Sequence, residues 1–442
     1  MRLRHLTGIL AATLLTTAAA AKPVKEWVDP ATGHRIVRIS TQGGTSNLYF
    51  TQSAFTPKGD KMVIKTPDGI SVVTLSDWSI KLLVPGPHLN LLFTGHISRN
   101  AYYATRARDD AGGPFQVWAV DVDTGKARKV ADVAGGSIGS INADETLLLG
   151  QYTLPPAKVN PDGTLIRPDQ GNNAVPGGNT YAENRPDGTP YTYADAKTRA
   201  LHRRLKAGFP MEVFTHNLVT GERRVIVASH DWLNHVQFSP TDPGLVMYCH
   251  EGPWHEVDRI WTIRTDGSNK KLVHSRTMNN EIAGHEFFSP DGETIWYDLQ
   301  TPRGQVFWLA GYNVRTGKRT WYHVERNQWS VHYNQSPDFK LFSGDGGDSE
   351  MVAHAPDGKW LYLFTPRMIG DDAEIPTADA DKLIVPGTFD QEKLVDMHAN
   401  NYKTEPNMTF TPDGKWIIFR ANFEGATHTY AVETAKAAGS KH

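Results

Sequence analysis

An all-β fold, a seven-bladed β-propeller with a loop and short helix inserted between blades 3 and 4, is predicted for this chain of 442 residues by two recurring phrases and their spacing. The first phrase is a polar lead residue, a few β-forming residues, then Ser-Pro or Thr-Pro and a turn. It reads Gln52-Ser53-Ala54-Phe55-Thr56-Pro57, His235-Val236-Gln237-Phe238-Ser239-Pro240, His285-Glu286-Phe287-Phe288-Ser289-Pro290, His332-Tyr333-Asn334-Gln335-Ser336-Pro337 and Asn407-Met408-Thr409-Phe410-Thr411-Pro412. Two weaker copies fit the same register, one led by Thr94 and one by Gly139. The second phrase is a Gly-containing hairpin turn: Asp123-Thr124-Gly125-Lys126, Val219-Thr220-Gly221-Glu222, Thr265-Asp266-Gly267-Ser268 and Arg315-Thr316-Gly317-Lys318. Seven lead positions imply seven blades. Regular spacings run from 42 to 50 residues, and two longer ones, 96 and 75, each read as one repeat plus an insertion. A pair of β-sandwiches with chance Ser-Pro turns would not keep the phrases in register.

Taken in order, the chain begins with basic Arg2, Arg4 and His5, an apolar run over residues 6–18 and small residues up to Ala21. That pattern predicts a signal peptide over residues 1–21 and export to the periplasm or beyond. Residues 22–442 then form one propeller. Residues 33–40 read as its first strand, and the last, near residues 427–432, pairs with it to close the ring. The first insertion, about 154–210, is rich in Pro, Gly and Asn. It ends in a predicted helix over residues 193–205 carrying Lys197, Arg199, Arg203 and Arg204, either a binding element or a solvated basic face. The second insertion, about 369–400, reads as a polar loop.

The balance of 46 basic and 48 acidic residues leaves a net charge of -2, which favours neither nucleic acid nor an anionic membrane. No later run is long and apolar enough for a membrane span. Cys249 is the only cysteine, so no internal disulfide forms and burial alone holds the core.

The chemistry follows from the register. Innermost strands of a propeller line a central channel, so Gln52, His235, His285, His332 and Asn407 are expected at one mouth of it, with Glu405 nearby. Imidazole nitrogens with amide and carboxylate oxygens suit a divalent metal such as Mn²⁺, Zn²⁺ or Fe²⁺. Each histidine alone is more often a packing residue; three at one repeat position are a better signal. A second cluster, Tyr248-Cys249-His250-Glu251-Gly252-Pro253-Trp254-His255 with Asp258-Arg259-Ile260-Trp261, offers aromatic faces for a sugar and Arg259 for a carboxylate. The competing reading makes the tryptophans inter-blade core and Arg259 a structural ion pair. The run Ser343-Gly344-Asp345-Gly346-Gly347-Asp348 reads as a plain turn.

The Cys249-His250-Glu251-Gly252-Pro253 and His285-Glu286-Phe287 phrases, together with residues 419–425, resemble the oligogalacturonate lyase family. The likeness is good after about Val213 and rests on repeat pattern alone before it. It implies a seven-bladed propeller that cleaves short galacturonides, or related uronate oligosaccharides, by β-elimination with Mn²⁺. It also implies His285 as a metal ligand and His235 as the base. Where the family has Gln-x-x-His-x-His, this chain has Tyr402-Lys403-Thr404-Glu405-Pro406-Asn407. The expected metal set is therefore His285, His332, Glu405 and Asn407, a more oxygen-rich shell. His250, Arg259, Arg204 and Gln52 are the expected substrate contacts. The alternatives are a lyase for another uronate polymer and a non-catalytic periplasmic propeller of the translocation-associated type.

Overall fold

Among the residues that the computed structural model describes, 25–106, 114–154, 184–370 and 379–439, strand pairing gives six sheets; the eight-stranded one consists of two antiparallel halves joined by a parallel pairing, and with those halves counted separately the antiparallel units run from first to seventh along the chain. In the third, Ser137–Ile141, Leu147–Thr153, Met211–Asn217 and Arg223–Ser229 lie side by side in that order. The fourth runs from Trp232–Phe238 to Lys271–Leu272 and the fifth from Ile282–Phe288 to Arg319–Val324. The sixth, Tyr333–Gln335 to Ile384–Asp396, is fused to the fifth by a parallel pairing of Arg319–Val324 with Ile384–Asp396. In the first unit the innermost strand is reduced to isolated bridges on Lys61–Thr66, Ser46 to Lys65 and Phe55 to Met62.

The seventh unit closes the circle. Its strands Thr409–Phe410, Trp416–Ala421 and His428–Lys436 come from the end of the chain, and His34–Arg38 from the beginning pairs antiparallel with His428–Lys436. Core packing follows the same circle. One apolar cluster joins units 3 and 4 through Leu149, Val213, Leu233 and Tyr248. Others join 4 to 5, 5 to 6 and 6 to 7. A further cluster packs Ile418 and Ala431 of unit 7 on Val63 of unit 1 and Ala101 of unit 2, and the last joins 2 to 3. Each sheet therefore buries both faces against its neighbours, as a propeller requires.

The repeated phrases have repeated jobs. Ser289, Ser336 and Thr411 donate to Asp291, Asp338 and Asp413, which fixes the turn from the first to the second strand of a unit. In the Thr-Gly turns, Asp121, Asn217 and Asn313 accept backbone N–H bonds from Thr124, Thr220 and Thr316. Gly125, Gly221 and Gly317 there sit at φ of 72°, 75° and 76°, where a Cβ is unwelcome.

Two expectations need correction. The helix is present, as Tyr193–Ala207, capped by Thr192 and Gly208. The strands flanking its insertion, Leu147–Thr153 and Met211–Asn217, pair with each other. The insertion thus lies inside the third unit rather than between units 3 and 4; spacing between lead residues cannot tell where within a repeat extra chain enters. The stretch 369–400, of which residues 371–378 lie outside the described residues, contains the thirteen-residue strand Ile384–Asp396 where a polar loop was expected. The expected signal peptide, residues 1–21, lies outside the described residues, as does much of the Pro- and Gly-rich part of the insertion. No described helix is long and apolar enough to cross a membrane.

Candidate active site

Two of the lead residues, His235 and His285, project from a break in the ladder. Pairing between the first two strands of unit 4 jumps from Asn234–Cys249 to Gln237–Met247, so His235 and Val236 together oppose Tyr248. In unit 5 it jumps from Gly284–Asp298 to Phe287–Trp296, leaving His285 and Glu286 opposite Tyr297. These are β-bulges, which re-aim a side chain away from the sheet. His235, His285 and Asn407 all take left-handed backbone angles, at φ of 47°, 54° and 51°. Three non-glycine residues held in that region at the same repeat position are a shared strained feature of the kind found at functional sites.

Two of the predicted histidines, His235 and His332, meet through Tyr49. Its ring centroid lies 6.3 Å from that of His235 and 5.3 Å from that of His332, and its hydroxyl is 3.3 Å from His332 Nε2. The His332 ring lies 5.3 Å from that of His285. Glu405 Oε2 is 4.0 Å from His332 Nε2, and the Asn407 amide donates to the Glu405 carbonyl. His235, His285, His332, Glu405 and Asn407 thus form one cluster. The fifth lead residue, Gln52, serves it indirectly: its side-chain oxygen accepts from the Tyr49 backbone N–H at 3.2 Å.

Each lead histidine also has a carboxylate from the far end of the second strand of its own unit. Glu251 lies 3.5 Å from His235 Nε2, Asp298 lies 3.7 Å from His285 Nδ1, and Asp345 lies 2.8 Å from His332 Nδ1. Burial holds the His285 imidazole well below its ordinary pKa, reinforced by the positive charge of Lys197 and Arg259. It is therefore neutral with its lone pair available. Burial pushes the Asp298 carboxyl up to about 7, against bonds from Gln300 and Trp329. For Glu405, burial pushes upward but the positive charge of His332 and Lys197 outweighs it, so the group is held ionised. Burial keeps the Tyr49 phenol protonated, with Glu405 and Glu286 adding to the effect.

The expected substrate grips lie elsewhere. Arg259 is buried and committed to Glu251 at 3.0 Å and Glu286 at 3.2 Å, so it is the structural ion pair of the competing reading. Arg204 is buried with its guanidinium 4.3 Å from the Trp232 ring centroid and in contact with Met211. His250 is tied to Asp231 at 2.9 Å and wedged against Tyr248 and Trp261. The helix instead sends Lys197 toward the cluster: its Nζ lies 5.7 Å from the Trp254 ring centroid, and its charge bears on Glu251, His285 and Glu405.

The donor atoms that remain fit a cation. Asn407 Oδ1 and His285 Nδ1 are buried without a hydrogen-bond partner, an expensive state unless something else satisfies them. Asp345 takes the Nδ1 side of His332 and leaves Nε2 facing Glu405, the usual second contact of a metal-bound histidine.

A model of the oligogalacturonate lyase family matches residues 209–438, just over half of the chain. The chain belongs to the oligogalacturonate lyase family. It is 27% identical over 229 residues to an oligogalacturonide lyase of Pectobacterium atrosepticum, and 26% identical over 229 residues to an oligogalacturonate lyase of Dickeya dadantii. Each match covers 49% of this chain and 54% of the relative, so the chain spans about half the length of the curated relatives it matches. Over the whole fold it superposes on an oligogalacturonate lyase solved in complex with manganese, with a TM-score of 0.68 and 22% identity over 94% of this chain and 99% of that one. An oligogalacturonate lyase of Vibrio parahaemolyticus gives a TM-score of 0.68 at 20% identity, with the same coverage.

Within this family fold, Tyr402 stands where the resemblance places an amide ligand. Its ring is buried and its hydroxyl donates to the Asp345 carbonyl at 2.8 Å, so it braces the loop that orients His332. Tyr49 and Asp298 were not among the expected site residues; Lys197 and Glu251 were expected only as parts of a binding helix and a sugar-contacting cluster, and Asp345 was read as part of a plain turn. For the carboxylates a signal exists: Asp298 and Asp345 each follow their lead histidine by 13 residues. Tyr49 has none, since it sits in an apolar run before its lead residue.

Proposed function

We propose that this protein cleaves oligogalacturonides or closely related uronate oligosaccharides by β-elimination, at the axial cluster of His235, His285, His332, Glu405 and Asn407. The observation that carries this reading is the convergence of lead residues from separate units, three of them at left-handed backbone angles, beside two buried, unpartnered donor atoms, in a chain of the oligogalacturonate lyase family. A divalent cation, Mn²⁺ by the precedent of the related manganese complex, would be held by His285, His332, Glu405 and Asn407, and when bound it supplies positive charge beside the uronate carboxylate.

The protein's own residues do the rest. His235 removes the proton at C5. Glu251 lies against its Nε2, which leaves Nδ1 as the nitrogen that takes the proton. The electrons of the broken C5–H bond form the C4–C5 double bond. The C4–O bond breaks, and the departing sugar oxygen takes a proton from water. Arg259 holds Glu251 in place rather than touching sugar. Lys197 and the face of Trp254 offer a positive charge and a stacking surface for the neighbouring sugar unit. We read residues 1–21 as an export signal and the remainder as a single domain, so the reaction takes place outside the cytoplasm.

The direct test is His235→Ala. With oligogalacturonate as substrate, the ultraviolet absorbance of the unsaturated product should fall by about 10²–10⁴-fold, the range for loss of a general base, while metal content stays that of the wild type. Undiminished product formation would remove His235 from the mechanism. A panel of uronate oligosaccharides assayed the same way separates galacturonides from other polymers. Absence of unsaturated ends with every member would favour the binding propeller.

A further inference from the structure

A second group of metal-binding side chains stands apart from the axial cluster. His202 comes from the inserted helix Tyr193–Ala207, and His255 and Glu256 come from the turn that follows Gly252-Pro253-Trp254 in unit 4. Glu256 Oε1 is 3.5 Å from His202 Nδ1 and 3.5 Å from His255 Nε2. The two imidazole centroids are 6.0 Å apart, with their planes inclined at 57°. Among the described residues, this is the group of three His, Cys, Asp or Glu side chains whose ligand atoms all lie within 4.8 Å of one another. All three side chains are exposed.

The geometry points to a second metal site here, one that takes Zn²⁺ through two imidazole nitrogens and one carboxylate oxygen. Donors about 2.0–2.1 Å from a tetrahedral zinc are separated by roughly 3.3 Å. The two separations to Glu256 are already near that value, so small side-chain rotations complete the shell. Nitrogen and oxygen donors without thiolate suit zinc and its neighbours in the first transition row better than calcium or magnesium. The fourth position is left to water.

The site joins two elements that are far apart in sequence. Its first ligand lies on the inserted helix and the other two on the turn beside Trp254. The same helix carries Lys197, whose ammonium lies over Trp254. Zinc would clamp the helix to unit 4 and fix Lys197 at the edge of the axial cluster.

The test uses the full chain, stripped with a chelator and titrated with Zn²⁺ alone. The wild type should bind one equivalent more than His202→Ala and than Glu256→Gln, whatever the axial cluster itself takes up. Replacing Zn²⁺ by Co²⁺ should give the wild type a tetrahedral visible absorption that both variants lack. Zinc should also slow tryptic cleavage within the helix by at least about tenfold in the wild type and not in the variants. Both substitutions are at exposed side chains, and unchanged thermal unfolding of the stripped proteins would establish that they fold. Equal zinc stoichiometry in the wild type and both variants would overturn the proposal, as would helix cleavage insensitive to zinc. Because the readouts are zinc count, colour and cleavage, failure here leaves the reading of the axial cluster untouched.

Discussion

Asp345 decides which nitrogen of His332 faces the axis. One carboxylate oxygen accepts from the His332 backbone N–H at 2.8 Å and the other from Nδ1 at 2.8 Å, so both are used. An asparagine offers only one acceptor. Asp345→Asn should therefore leave the ring free to turn and weaken binding of the proposed axial cation by about 10–100-fold, as loss of such an outer contact does elsewhere, with the strands around it unchanged. Metal titration monitored against circular dichroism measures both. Asn407 gives a sharper case, because its side-chain oxygen is buried with no partner among the protein's own groups. Asn407→Ala removes that oxygen, so affinity for Mn²⁺ should fall by at least about tenfold. Equal affinity in the variant would take Asn407 out of the metal set. The sequence could show these lead residues because they recur at one repeat position. It could not show that Arg204 and Arg259 are consumed by Trp232 and by Glu251 and Glu286, since ion pairing between residues of different strands depends on how the sheet registers.

Turns illustrate what a repeat can and cannot specify. The link from the first to the second strand of a unit ends in glycine at φ of 66° for Gly59, 72° for Gly292 and 70° for Gly414. In unit 6 the same position is Phe339, at φ of 66° and half exposed. A left-handed backbone costs a residue with a Cβ about 1–2 kcal/mol, and Phe339 buries little in return. Phe339→Gly is expected to raise stability by about 0.5–1 kcal/mol, read from urea unfolding midpoints. Gly292→Ala should do the reverse, because a Cβ there would sit 2.4 Å from Ser239 Oγ and 2.5 Å from Thr241 Oγ1. These turns were legible from Ser-Pro-Asp-Gly and Thr-Gly, since each encodes its own geometry. The strand Ile384–Asp396 was not. Its pattern of Pro386, Gly387, Gln391 and Glu392 is polar, and it is a strand because it pairs with Trp360–Met368 on one side and with Arg319–Val324 of the next unit on the other. Neighbours that lie outside the local pattern overrode local propensity.

Around the whole ring, stability is shared between apolar clusters that each bridge neighbouring units and polar contacts that do the same at the rim. One such contact joins units 1 and 2. Arg99 donates to both oxygens of Asp60, at 2.8 and 2.9 Å, and also to Asp123, which Lys61 contacts in turn. The Arg99 bond holds the Asp60 carboxyl down at about 2, against 3.8 for the free group. The unfolded chain therefore binds a proton on Asp60 before the folded protein does as the medium is acidified. The contribution is fully present above about pH 4 and is lost as the pH falls through about 2; it does not change near neutrality. Both partners are largely solvated, so the stabilisation is at most about 1 kcal/mol. Asp60→Asn should accordingly lower the urea midpoint slightly at pH 7, and the gap from the wild type should close steadily between pH 4 and pH 2. Added salt should narrow the gap at pH 7 as well, because the pairs are exposed. A gap that stays constant with pH would mean that Asp60 acts through its turn, where Thr56 donates to it at 2.7 Å, and not through the charge that ties the two units together.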